Sequence, residues 1–126
     1  MRARVSANEA SAIGDLRARA LRHHQRTPLG LIVLDYLQLC RGSSWRAEEN
    51  RVQEISEITR GLKHLARELN CPVIAAAQLN RAVETRSEKR PQLADIRECG
   101  EVEASADLVL GLYRESYYQR KEEVAP

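Results

Sequence analysis

The chain has no phenylalanine and a single tryptophan among its 126 residues. Any core must therefore be aliphatic, built from the Leu, Ile, Val and Ala that dominate a hydrophobic share of 43%. That is enough for one domain, or a piece of one, since a chain of this size buries roughly two thirds of its unfolded surface. No apolar run approaches the roughly 18 residues of a membrane span. The opening MRARVSANEAS has no apolar h-region, so it does not read as a signal peptide. Cys40, Cys71 and Cys99 are odd in number and form no CxxC pair. Neither a zinc site nor a disulfide framework is indicated, and a reducing, cytoplasmic setting is the simplest expectation. An HExxH pattern is also absent, so His23, His24 and His64 read as surface or packing residues. Nor is there an excess of charge of one sign: 20 basic residues face 18 acidic ones, a net of +2. Charge alone thus gives no sign of a bulk polyanion binder.

The residues that are present group into elements. SANE at 6–9 is a capping box, and Ala10, Ile13, Leu16, Ala20 and Leu21 follow with helical spacing, predicting a helix over about 6–24. Pro28 ends it. Residues 31–34 form a short apolar run bounded by turn signals, which predicts a buried strand. CRGSSWRAEEN (40–50) is a polar loop. From Asn50 the pattern changes: Val52, Ile55, Ile58, Leu62, Leu65 and Leu69 recur every three or four residues, one face of a long helix. Gly61 costs that helix about 1 kcal/mol against Ala, which points to a close packing contact. NCP (70–72) stops the helix. VIAAAQLN (73–80) reads as a second buried strand, 81–100 as a long charged loop, EVEASA as a helical turn, DLVLGLY (107–113) as a third buried strand, and the sequence from Arg114 as a ragged polar tail. Strands that are nearly all apolar, alternating with helices, predict an α/β domain with a mainly parallel sheet flanked by helices.

In such sheets ligands bind beyond the carboxyl ends of the strands. Asp35 closes the first strand and Gln78 stands at the end of the second. A carboxylate there has the form of a Walker B element, which holds Mg²⁺ beside nucleotide phosphates; a turn residue or helix cap has the same form. Gln78 suits a hydrogen bond to a γ-phosphate or a water, or is simply a polar residue leaving a strand. The long loop interleaves Arg81, Arg86, Lys89, Arg90 and Arg97 with Glu84, Glu88, Asp95 and Glu98, and on charge alone reads as self-neutralising. In RECG, Arg97 could meet a phosphate, and Gly100 at a helix start leaves backbone N–H groups open to an anion.

LIVLDYLQL, QLNR, KRP, the D-R-E-G residues of DIRECG, and ADL occur here in one order and spacing. Over residues 27–118 the chain closely resembles the C-terminal RecA-like motor domain of the bacterial replicative DNA helicases, the DnaB family. The resemblance implies a partial RecA-like P-loop NTPase fold and a part in ATP-dependent 5′→3′ unwinding of duplex DNA during replication. It casts Asp35 as the Walker B residue that positions Mg²⁺, through water, on ATP, and Gln78 as the γ-phosphate sensor. Arg97, Glu98 and Gly100 match the loop that holds DNA phosphates, with Cys99 where the family commonly has Ser. Single-stranded DNA, the other subunits of a hexameric ring, a primase and a helicase loader are the implied partners.

None of the six glycines begins a GxxxxGK[ST] phosphate loop, and the family's Lys-x-Arg finger element is not found after the third strand. The sequence thus reads as the middle of the motor, cut off before and after: a helical segment (1–25), a partial motor domain (26–118) and a polar tail (119–126). It is expected not to hydrolyse ATP alone and to expose strand edges. The alternative is a catalytically inactive, truncated homologue that binds single-stranded DNA or a helicase subunit.

Overall fold

The periodic stretch after Asn50 forms α2 (Arg51–Glu68), whose first N–H groups, on Val52 and Gln53, are capped by the Asn50 side chain. Ile55, Ile58, Leu62, Leu65 and Leu69 are buried as the spacing predicts. Val52 is not: it lies in the first turn and is half exposed, so the buried stripe begins at Ile55. Asn70 takes a positive φ of 46° just past the helix, the left-handed residue that ends many helices.

This is a computed structural model, and it describes residues 12–42, 50–96 and 100–124, with backbone alone for 120–124. Besides α2, the elements are α1 (Ile13–Arg26), β1 (Ile32–Leu34), a 3-10 turn (Leu37–Leu39), β2 (Val73–Ala75), α3 (Ala82–Thr85), a second 3-10 turn (Leu93–Asp95), α4 (Gly100–Ser105) and α5 (Glu115–Val124). The first described helix starts at Ile13, after Ala12, which is extended and pairs with Arg41. The capping box at 6–9 lies outside the described residues.

β1 and β2 are parallel, in the register Ile32↔Val73, Val33↔Ile74, Leu34↔Ala75, with α2 as the crossover such a pair requires. One face of the sheet rests on α1 and α2. Leu34 joins Ile13, Leu16, Leu37, Cys40, Ile55, Ile58, Leu62 and Ile96 in the larger core cluster. Ala20, Leu65, Leu69 and Cys71 form a second, contiguous with Leu29 and Ile32. Gly61 lets α1 approach α2: a Cβ there would stand 2.6 Å from Cγ1 of Ile13, the close contact that its mid-helix position predicts.

The opposite face is bare. Side chains alternate along a strand, so Val33 and Ile74 point away from the helices and are 63% and 56% exposed. The strands are therefore half covered rather than fully buried. The third strand does not form: a strand exists by pairing, and among the described residues no strand pairs with 107–113. Its apolar side chains stay in solvent, Leu112 at 88%. The long charged loop has more structure than its composition suggests, containing α3 and the second 3-10 turn. The tail after Arg114 is helical over Glu115–Val124. No described helix is long and apolar enough to cross a membrane.

Candidate functional site

The apolar run of β1 ends at Leu34, and Asp35 follows immediately, exposed, with a cis peptide to Tyr36. β2 ends at Ala75, and Gln78 lies three residues on, also exposed. Parallel pairing alone would bring these two ends side by side. Four further hydrogen bonds fix them. Ala76 N–H donates to Leu34 O at 2.9 Å, and Leu37 N–H donates to Ala76 O at 2.8 Å. Beyond them Gln38 meets the main chain of Gln78 twice: its Nε2 donates to Gln78 O at 3.3 Å, and its Oε1 accepts from Gln78 N–H at 3.1 Å.

Gln38 is held in turn. Arg51, in the first turn of α2, donates to Gln38 O at 2.6 Å and to the carboxylate of Glu54. Glu54 is buried and also accepts from Gly42 N–H at 3.0 Å. A charge this sheltered from water is tolerable only with such partners. A continuous path of hydrogen bonds therefore runs from the core-facing side of α2 through Arg51 and Gln38 to Gln78. Composition and spacing pointed to Asp35 and Gln78 but passed over Gln38. The one available signal was a polar residue interrupting the apolar Leu37 and Leu39.

The charged loop is built around Arg86. Its guanidinium donates to both carboxylate oxygens of Asp95 at 2.9 Å, to Glu88 O at 2.6 Å and to Arg90 O at 2.8 Å. Asp95 is buried and takes a further hydrogen bond from Gln92 N–H at 2.7 Å. The hydrogen bonds from Arg86, then that from Gln92, hold the Asp95 carboxyl below its ordinary range, and the same pairing raises Arg86. Lys89 also turns inward, donating to Glu84 O and Arg86 O. Two of the loop's cations thus serve the loop, as its balanced charge suggests. An antiparallel bridge between Leu79 and Ile96 and a 2.7 Å bond from Asn80 N–H to Asp95 O close its base.

Arg97, Glu98 and Cys99 lie outside the described residues. Their flanking neighbours are placed: Ile96 pairs with the residue after Gln78, and Gly100 opens α4, exposed, with no atom within 4 Å of where a Cβ would stand. The structure therefore brings Asp35, Gln38 and Gln78 together and sets the loop base against them. Cys40 and Cys71 are free and buried, and burial raises both thiols. No group of three or more potential metal ligands occurs among the described residues. The donor set at the strand ends suits Mg²⁺ nonetheless, because that ion is commonly held by one or two carboxylates, waters and phosphates rather than by an all-protein cage.

A parallel sheet with helices on its covered face, and polar side chains gathered past the strand ends, defines an α/β domain, and the solved relatives described below place it in the RecA-like class. Comparison with known proteins gives the family. The profile of the DnaB-like helicase C-terminal domain matches residues 1–125, and the chain belongs to that family. The replicative DNA helicase DnaB of Geobacillus stearothermophilus is 55% identical over 111 residues, which are 88% of this chain and 24% of that protein. The replicative DNA helicase DnaB of Rickettsia prowazekii is 56% identical over 117 residues, which are 92% of this chain and 24% of that protein. A solved DnaB-like replicative helicase, described with its interactions with primase, superposes with a TM-score of 0.81 at 38% identity, covering 88% of this chain and 26% of that one. A second solved structure, an ATPase domain, superposes equally well, with a TM-score of 0.81 at 38% identity over 89% of this chain and 39% of that one. The chain thus spans about a quarter of the length of the curated relatives it matches.

Proposed function

We propose that residues 26–118 form the Walker B, sensor and DNA-contact portion of a replicative helicase motor, acting in the cytoplasm. Asp35 would hold Mg²⁺ through water, and Gln78 would hydrogen-bond the γ-phosphate of ATP. The bound ion would supply positive charge against the phosphate oxygens during transfer. The side chain of Arg97 and the backbone N–H groups of Glu98 and Gly100 would meet the phosphates of single-stranded DNA. The carrying observation is the adjacency of the two strand ends: Asp35 and Gln78 are exposed just past the ends of neighbouring parallel strands, with the Gln78 backbone fixed by Gln38. Family membership supports the assignment, as do the two solved relatives, one a primase-interacting helicase and one an ATPase domain. Other helicase subunits in a ring, a primase and a loader are the partners this reading supplies.

The sequence holds no GxxxxGK[ST], so we propose nucleic-acid binding without ATP hydrolysis for these 126 residues alone. Titration with oligo(dT) tests the first part. Binding should weaken steeply with salt and fall in Arg97→Ala; unchanged binding in that variant would remove the DNA assignment. Mg²⁺-dependent ATPase activity from the chain, abolished in Asp35→Asn, would overturn the second.

A further inference from the structure

A loop that carries five basic residues invites the reading that each is a phosphate contact. The geometry separates them. All three guanidinium nitrogens of Arg86 are engaged within residues 88–95. Asp95, its partner, is 6% exposed and receives three hydrogen bonds. Through its own carbonyl Asp95 also holds Asn80 N–H. The next residue, Ile96, bridges to Leu79, and Leu79 follows Gln78 directly.

From this we infer that Arg86 and Asp95 are a positioning pair for the DNA-contact segment: they fold residues 81–96 into one unit, seat Ile96 against Leu79, and thereby fix where residues 97–100 depart, without touching DNA themselves. This rests on the DNA assignment of residues 97–100 made above. Its consequence is a link between that segment and the sensor: both leave the same two-residue bridge, one on each side. The planar fork of arginine is needed, because it serves two carboxylate oxygens and two carbonyls at once. A lysine offers the charge without the fork.

The sign of one substitution tests the pair. Asp95→Asn deletes a negative charge near a polyanion, so an electrostatic account predicts tighter oligo(dT) binding. Positioning predicts binding weaker by roughly fivefold, the worth of about one net hydrogen bond. Arg86→Lys keeps the net charge; it should weaken binding similarly while leaving the salt slope unchanged. A phosphate contact would instead be largely preserved by lysine. Arg97→Ala should weaken binding and lower the salt slope by about one phosphate's contribution. Amide exchange gives a readout independent of DNA: in Asp95→Asn and Arg86→Lys, Asn80 and Ile96 should exchange faster while Ile58 in the core does not. Uniformly faster exchange would mean loss of stability rather than of position and would overturn the inference. So would tighter or unchanged binding in Asp95→Asn when Arg97→Ala is weakened. If Arg97→Ala binds like the parent chain, or the parent chain does not bind at low salt, the DNA assignment fails and the inference falls with it.

Discussion

Gln38 holds Gln78 by the main chain on both sides of its Cα, giving a hydrogen bond to the carbonyl and taking one from the N–H. The Gln78 side chain is left out of this clamp, an arrangement that suits the sensor role proposed for it. Substituting Gln38→Met keeps length and shape but removes both bonds. The Gln78 amide should then exchange with solvent about tenfold faster, corresponding to one or two net hydrogen bonds at a partly exposed site. The Ala76 amide, bonded to Leu34 O, is the internal control. An unchanged Gln78 rate would show that the clamp contributes nothing to order there.

Gly61 offers a contest between two known effects. Gly→Ala in a helix interior gains about 1 kcal/mol of propensity. Here the new methyl would stand 2.6 Å from Cγ1 of Ile13, a branched side chain buried in the core. Overpacking of that kind costs about 1–3 kcal/mol. The steric term should win, and Gly61→Ala should be destabilised by about 1 kcal/mol in urea unfolding. In an Ile13→Ala background the clash is gone and the same substitution should become stabilising, a coupling that a double-mutant cycle would measure. A stabilised single variant would mean that α1 can move off α2 freely.

Much of this architecture is legible in the sequence, and the largest failures share one cause. The periodicity of Ile55, Ile58, Leu62 and Leu65, the stop at Asn70–Pro72 and the glycine contact are local or helix-to-helix facts, and each is written in residue type and spacing. Asp35 and Gln78 are legible because strand ends are where polar residues interrupt apolar runs. What could not be read is pairing. Residues 107–113 have the composition of a strand, but a strand needs a neighbour that composition does not supply, so their apolar side chains lie exposed. Gln38 was missed for the same reason: its partner is 40 residues away. Arg86 and Asp95 were visible as opposite charges in one loop, but nothing in the order of charges says which cation meets which carboxylate.

Among the described residues three carboxyls have folded values held below the ordinary range: Glu68 by Arg17, Asp95 by Arg86 and Asp107 by Lys63. A depressed folded value contributes stability that is present above the unfolded value, about pH 4 for these groups, and is lost as pH falls through the folded one. Stability should therefore be flat from pH 7 to about 5 and decline below about 4. The pairs should differ in salt dependence. Arg17 is half exposed and the Asp107 carboxylate is 89% exposed, so both pairs are screened in about 1 M salt. Asp95 is sheltered and receives a backbone N–H as well. Urea midpoints measured from about pH 6 to about 2.5 in high salt should keep most of their acid slope in the parent chain and lose part of it in Asp95→Asn. An acid limb erased entirely by salt would assign it to the surface pairs instead.

Asp35 is exposed at the end of a strand, and no hydrogen bond or ion pair to it is found among the described residues. A carboxylate with no structural partner should be dispensable to the fold, and Asp35→Asn should change stability by no more than about 0.5 kcal/mol. Arg51→Met makes the contrast. It strips a buried glutamate of its cation and Gln38 of a donor, and should cost about 1–3 kcal/mol. That pair of outcomes is what the proposed Mg²⁺-positioning role of Asp35 requires. Mn²⁺, a paramagnetic stand-in for Mg²⁺, would reveal it directly. Added in the presence of ATP, it should broaden the amide resonances of residues 35–38 and 76–78 in the parent chain and spare them in Asp35→Asn. Equal broadening in both chains would locate the cation elsewhere. No broadening in either would mean that one carboxylate and the Gln78 amide do not retain the ion–nucleotide complex by themselves.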